Sequence, residues 1–190
     1  MSLKEHIAYG GAASAALAPV FGWKAVLFFL GSIFIDADHY IDFLYFGRFR
    51  DWSVEHMFRY HKLIGKWKHR PDICALEAFH TAEFLIGLLL AGLFLPSTGV
   101  LLLLAGMLFH LVLDLVRLSE WGVVKIRALS FTEYVIRARR MRRSGLDPEG
   151  IFREVYRMVS EGRDLDVPEP SRDAEFRPAR GPAAVPQIDA

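Results

Sequence analysis

Seven histidines stand in this chain of 190 residues, and several of them pair with carboxylates at helical spacing. His110-Leu-Val-Leu-Asp114 is an i, i+4 pair and His80-Thr-Ala-Glu83 an i, i+3 pair, so on a helix each pair shares one face. Asp36-Ala-Asp38-His39 closes an apolar run, Asp42 follows one turn beyond Asp38, and His6 opens the first apolar stretch. Imidazole nitrogens with carboxylate oxygens suit zinc, manganese or iron, the oxygen-rich positions favouring the harder ions. At least seven potential ligands exceed what one tetrahedral ion can use, so two or three divalent ions are expected. Such a multinuclear site lowers the pKa of water and clamps the attacking and leaving oxygens of a phosphate ester.

These residues need elements that bring them together. Hydrophobic residues make up 53% of the chain and charged residues 24%, and the two populations are kept apart. No Asp, Glu, Lys or Arg occurs between Glu83 and Asp114, or between Lys24 and Asp36. That composition excludes a disordered or collagen-like chain, and a single cysteine, Cys74, excludes a disulfide scaffold. A net charge of +1 gives no specific prediction of nucleic-acid binding. Four apolar segments run from about Leu3 to Ala18, Trp23 to Ile35, Ile73 to Leu95 and Val100 to Leu118, with turn signals at Pro19–Trp23 and Pro96–Gly99. Their Leu-rich faces carry no polar stripe, which favours membrane helices over the core of a soluble bundle. The first segment has Glu5 beside Lys4 and does not read as a cleavable signal peptide.

The expected fold is therefore all-α, a bundle of about four membrane-embedded helices in two hairpins over residues 1–118. Residues 119–165 are expected to be cytoplasmic amphipathic helices. They include a basic stretch from Val123 to Arg143 suited to an anionic leaflet, and a helix opened by Asp147-Pro148-Glu149 and running to Ser160. Five of nine prolines fall after Val167, so 166–190 reads as a disordered tail. Of 23 Lys and Arg residues, only Lys24 lies beside a hairpin turn. The positive-inside rule then puts the N-terminus, the 40–72 loop and everything after 118 on the cytoplasmic side of an inner membrane.

The His/Asp groups fall at that same end. His80 lies 16 positions before Pro96 and Asp114 lies 15 beyond Gly99; His6 and Asp36 lie 13 positions from Pro19 and Trp23. At about 1.5 Å per residue, each hairpin brings its polar groups to matching depth. Taken singly, His-x-x-x-Asp on an apolar helix is more often a buried hydrogen-bonded pair than a ligand set. Gathered at one depth they form a metal site, because ionisable groups at the hydrocarbon edge are costly unless paired or coordinated. His56 and His61 lie in a basic loop and read as solvated surface, or as extra ligands closing over the site. His69 beside Arg70 reads as surface or phosphate-contacting, and Arg48, Arg50 and Arg70 as groups that orient an anionic substrate. No nucleophile motif, phosphate loop or dinucleotide fingerprint occurs.

The ordered set of an N-terminal His, Gly31-Ser-Ile-Phe-Ile-Asp-Ala-Asp-His39, Phe79-His-Thr-Ala-Glu83 and Phe109-His-Leu-Val-Leu-Asp114 resembles the membrane-bound metal-dependent hydrolases. These are also described as LexA-binding inner-membrane-associated hydrolases, placed distantly with zinc-dependent phospholipase C and P1-type nucleases. The resemblance covers about residues 3–118 and departs at Ile35, where the family usually has Pro. It implies hydrolysis of a phosphoester or phospholipid-like substrate, with zinc ahead of manganese or iron. His6, Asp36, His39, His80, Glu83, His110 and Asp114 are the implied ligands, and Asp38 or Glu83 could shuttle the proton. Two other readings stay open: a diiron-type carboxylate bundle, and a membrane scaffold or transport component in which the cluster only staples helices. Oligomeric state is not legible.

Overall fold

The computed structural model describes residues 3–95 and 97–163; the expected tail at 166–190 lies outside the described residues. The protein is mostly α-helical, in line with the expected fold class. Helices α1 (Leu3–Phe21) and α2 (Ala25–Phe34) form an antiparallel hairpin, closed by Gly22 at φ +59°. That left-handed backbone suits glycine. Ser14 Oγ donates to the Ala25 carbonyl at 2.8 Å, and the bare faces of Gly10 and Gly11 lie against Ser32 and Phe29. Helix α3 (Ala37–Phe46) continues directly from α2, and α4 (Val54–Lys66) follows a loop. The second hairpin is α5 (Ala82–Phe94) with α6 (Thr98–Glu120).

Helices α2 and α6 run side by side in the same direction, since Leu27 meets Gly99, Gly31 meets Leu103 and Ser32 meets His110. Their backbones touch. A Cβ added to Gly31 would stand 2.1 Å from the Leu103 carbonyl oxygen, and one added to Gly106 only 2.0 Å from that of Phe28. Small residues allow this approach, as they do between membrane helices. Gly106→Ala should therefore cost about 1–3 kcal/mol by forcing the helices apart, read as a lowered thermal midpoint of the purified chain. An unchanged midpoint would contradict the packing.

Among the described residues, two helical stretches, 3–46 (α1 to α3) and Thr98–Glu120, are long and apolar enough to cross a membrane. The expectation of four such elements is met only in part. Helix α5 has 13 residues, about 20 Å of helix, because its apolar segment does not stay helical back to Ile73. Residues 73–81 instead form strand β1 (Ala75–Leu76) and a 3-10 turn through Ala78–His80, and Thr81 then caps α5 by accepting from the Phe84 amide.

The stretch 123–143 likewise is not one helix. It holds a 3-10 turn at Val124–Ile126, strand β2 (Arg127–Ala128) and α7 (Phe131–Arg143), with Ser130 capping α7 through the Glu133 amide. Strand β2 lies parallel to β1, pairing Ala75 with Arg127 and Leu76 with Ala128. Helix α8 (Gly150–Ser160) ends where expected but starts after Asp147, whose carboxylate accepts the Glu149 amide in the preceding turn. Its apolar face, Ile151, Phe152, Val155 and Val159, packs on Phe43 and Leu44 of α3 and Tyr60, Leu63 and Ile64 of α4. A second core of Ile35, Leu85, Leu104 and Met107 sits where both hairpins meet.

Candidate metal centre

Four elements deliver the polar groups to one place. Asp36 sits at the junction of α2 and α3, in the N-cap position of α3, where an aspartate usually accepts a helix amide. Here its side chain makes no such bond and turns to the histidines instead. His110 and Asp114 share a face of α6, one turn apart, as their spacing requires. His80 comes from the 3-10 turn ahead of α5 and His6 from the first turns of α1. Asp36, His80, His110 and Asp114 each offer a ligand atom within 4.8 Å of one another, and this mostly buried group could hold a metal ion.

Asp36 Oδ1 is the hub. It lies 3.2 Å from His110 Nε2 and 3.9 Å from the Nε2 atoms of both His80 and His39. His110 Nε2 is also 3.6 Å from Asp114 Oδ2. Ligands of a tetrahedral ion at about 2.1 Å stand about 3.4 Å apart, so these separations match a shared ion.

The other ring nitrogens fix the tautomers. His110 Nδ1 donates to the Ser32 carbonyl at 2.7 Å, and His80 Nδ1 donates to Asp38 Oδ2 at 2.9 Å. His39 Nδ1 donates to Asp38 Oδ1 at 3.0 Å. With Nδ1 donating, Nε2 is the nitrogen that each imidazole turns towards Asp36 and the one left to ligate a cation. Buried polar atoms ordinarily find a partner, yet His80 Nε2 and His110 Nε2 make no hydrogen bond among the described residues. Lone pairs facing a carboxylate oxygen are what a cation would reconcile. The donor set therefore fits a divalent ion.

Asp38 is buried and gives its carboxylate oxygens to His39, His80 and the Phe79 amide. It orients two imidazoles, the partner role that carboxylates play behind metal-bound histidines, rather than standing free as a proton shuttle. His6 flanks the group: its Nε2 is 3.2 Å from Asp114 Oδ1, its ring stacks on His110 at 3.8 Å, and its Nδ1 has no hydrogen-bond partner among the described residues.

Glu83 stands elsewhere. It is exposed, and its carboxylate accepts from the Phe131 and Thr132 amides at the N-terminus of α7. The expected His80–Glu83 face does not exist because α5 begins only after Thr81, so Glu83 is corrected from ligand and proton shuttle to helix cap.

His61 supports the centre from outside. Burial foremost, then the neighbouring His39, pushes its imidazole pKa down to about 3, so it is a neutral donor. Its Nε2 donates to the His39 carbonyl at 2.8 Å, and its ring stacks on that of His39. His56 is occupied by Asp51 at 2.6 Å, ahead of α4. Among the arginines expected to orient substrate, Arg70 grips Asp72 through two bonds, while Arg48 and Arg50 are exposed.

Two residues at the centre were not anticipated. Arg127 is buried, its Nη2 3.1 Å from Asp114 Oδ2 and its Nε against Glu77 Oε2. Burial alone would lower the guanidinium pKa, but Glu77 and Asp114 outweigh it and hold the charge. Glu77 Oε2 also lies 3.5 Å from His80 Nδ1. Glu77 was visible as a lone carboxylate one turn before His80. Arg127 hid in a stretch rich in basic residues.

No family model matches this chain, and neither a curated protein nor a solved structure matches it.

Proposed function

We propose that the protein is a membrane-embedded, metal-dependent hydrolase of phosphoester bonds, with its ions held near the cytoplasmic face of the inner membrane. The observation that carries this reading is the convergence of His80 Nε2 and His110 Nε2 on Asp36 Oδ1 in a mostly buried cluster, where neither nitrogen has a hydrogen-bond partner among the described residues. Asp36, His80, His110 and Asp114 would hold the first ion; His6 beside Asp114 and His39 beside Asp36 flank it as ligands for further ions, and zinc suits the mixed nitrogen and oxygen set.

A bound divalent ion supplies a Lewis acid that makes water nucleophilic near neutral pH. The chain's own groups do the rest. Asp38 and the Ser32 carbonyl keep protons on Nδ1 of the histidines, so that Nε2 stays a lone-pair donor. Arg127 balances the negative charge of Asp114 and Glu77, and its Nη1, which is buried and has no hydrogen-bond partner among the described residues, would donate to a phosphoryl oxygen.

The membrane setting is supported by apolar side chains on the outer faces of the hairpins. Val20, Trp23, Phe94 and Leu95 are at least 68% exposed at the turn end, and Ile86, Leu90, Val112 and Val116 face outward along the legs. Such a belt is expected against lipid and costly against water. The resemblance of the His/Asp motifs to the membrane-bound metal-dependent hydrolases points the same way.

The test is hydrolysis of bis(p-nitrophenyl) phosphate and p-nitrophenyl phosphate by the detergent-purified chain. Activity that zinc or manganese restores after chelation, and that His110→Ala lowers at least 100-fold, is the expected result. A metal-loaded protein that hydrolyses neither ester, yet melts earlier when stripped, would replace this reading with a structural staple between helices.

A further inference from the structure

A second charged site lies apart from the histidine cluster. Residues 68–71, the turn at Gly122–Ile126 and the basic face of α7 enclose an open cleft of about 410 Å³. Six of its lining residues are basic or ionisable nitrogen groups, namely Lys68, His69, Arg70, Lys125, Arg137 and Arg140, and none of its lining residues is acidic. The cleft shares no residue with the Asp36, His80, His110 and Asp114 group.

Part of this charge is already placed. Arg70 is held by Asp72, Arg137 bonds Glu133 and the carbonyls of Lys125 and Arg127, and the Lys68 ammonium sits 3.6 Å over the Trp121 ring. These contacts fix the walls. His69, Lys125 and Arg140 remain exposed on three different segments, with side chains in no ion pair among the described residues. Several cations around one concavity whose lining holds no carboxylate repel one another, and a bound anion relieves that repulsion. Arginine and lysine donors at a concave site match the oxygens of a phosphate.

We infer that this cleft binds a phosphate group, carried by an anionic lipid headgroup or free in solution, through Lys68, Lys125, Arg137 and Arg140. Its position at the turn that leads into β2 ties it to the centre through the chain. Arg127 points to Asp114 while Lys125, two residues before it, belongs to the cleft.

Trp121 provides the readout, because an anion drawing on Lys68 changes the cation over that ring. The purified full chain is titrated with inorganic phosphate and, separately, with micelles containing short-chain phosphatidylglycerol or phosphatidylcholine. Trp121→Phe identifies the signal. The expected result is saturable quenching or enhancement by phosphate, by phosphatidylglycerol or by both, weakened at least tenfold in Lys125→Glu/Arg140→Glu. Saturation by phosphate alone assigns the site to the free anion. Saturation by phosphatidylglycerol alone assigns it to a headgroup. Both variant positions are exposed, so folding is checked by an unchanged thermal midpoint. No saturation by either probe, equal response to phosphatidylcholine, or unaltered binding in the charge-reversed variant would overturn the inference.

Discussion

Replacing Arg127 by methionine is expected to lower stability by about 3–5 kcal/mol, the usual cost of removing one partner from a buried ion pair. The arithmetic rests on what is left behind. Arg127 is 6% exposed and lies against Asp114 Oδ2 at 3.1 Å and against Glu77 Oε2. Methionine fills much of the volume but leaves two carboxylates without their counter-charge beside a third, Asp36. Denaturant unfolding of the detergent-purified chain reads the loss. Adding Glu77→Gln should recover part of it, since one of the stranded charges is then gone. A cost below about 0.5 kcal/mol would show that Arg127 behaves as a surface pair does, and the charge balance described for the centre would be wrong.

The second large effect is expected at a residue that touches no ion. Asp38→Asn should weaken zinc or manganese binding about 10–100-fold, as loss of the partner behind a metal-bound histidine commonly does. Asp38 accepts from His80 Nδ1, His39 Nδ1 and the Phe79 amide with two oxygens. Asparagine keeps one oxygen and turns an N–H₂ towards at least one ring N–H, which must then rotate or shift its proton to Nε2. Either response removes a lone pair from the space around Asp36. Competition with a chromogenic chelator measures the affinity. Equal affinity in the variant would mean that the tautomers are set by something other than Asp38.

Much of the centre was legible because it depends on length along apolar helices. Counting from the turns placed His6, Asp36, His80 and Asp114 at one depth, and the two hairpins do bring them together. The i, i+4 face shared by His110 and Asp114 was legible for the same reason: α6 is continuous through both. The i, i+3 reading of His80 and Glu83 failed because local capping by Thr81 competes with helix periodicity and starts α5 after His80. Arg127 and Glu77 were beyond reach of any periodic pattern. They meet through a two-residue parallel pairing of Ala75–Leu76 with Arg127–Ala128, a contact between distant segments that leaves no local signature.

The C-terminal half shows a different limit. Apolar residues at 151, 152, 155 and 159 announce an amphipathic helix, and α8 is one. Periodicity states that a face will be buried without naming its cover, and the cover is α3 and α4 rather than a leaflet. By packing there, α8 steadies the helix that carries Asp38 and His39.

The central claim is that the Nε2 atoms around Asp36 exist to bind metal. Elemental analysis of the full chain, purified in detergent without chelator or affinity metal, tests it most directly. At least one equivalent of zinc, manganese or iron per chain is expected, falling below one tenth in His80→Ala/His110→Ala while the purified variant remains helical by circular dichroism. A wild-type chain with less than one tenth of an equivalent after incubation with each ion, or a double variant that retains the full content, would contradict it.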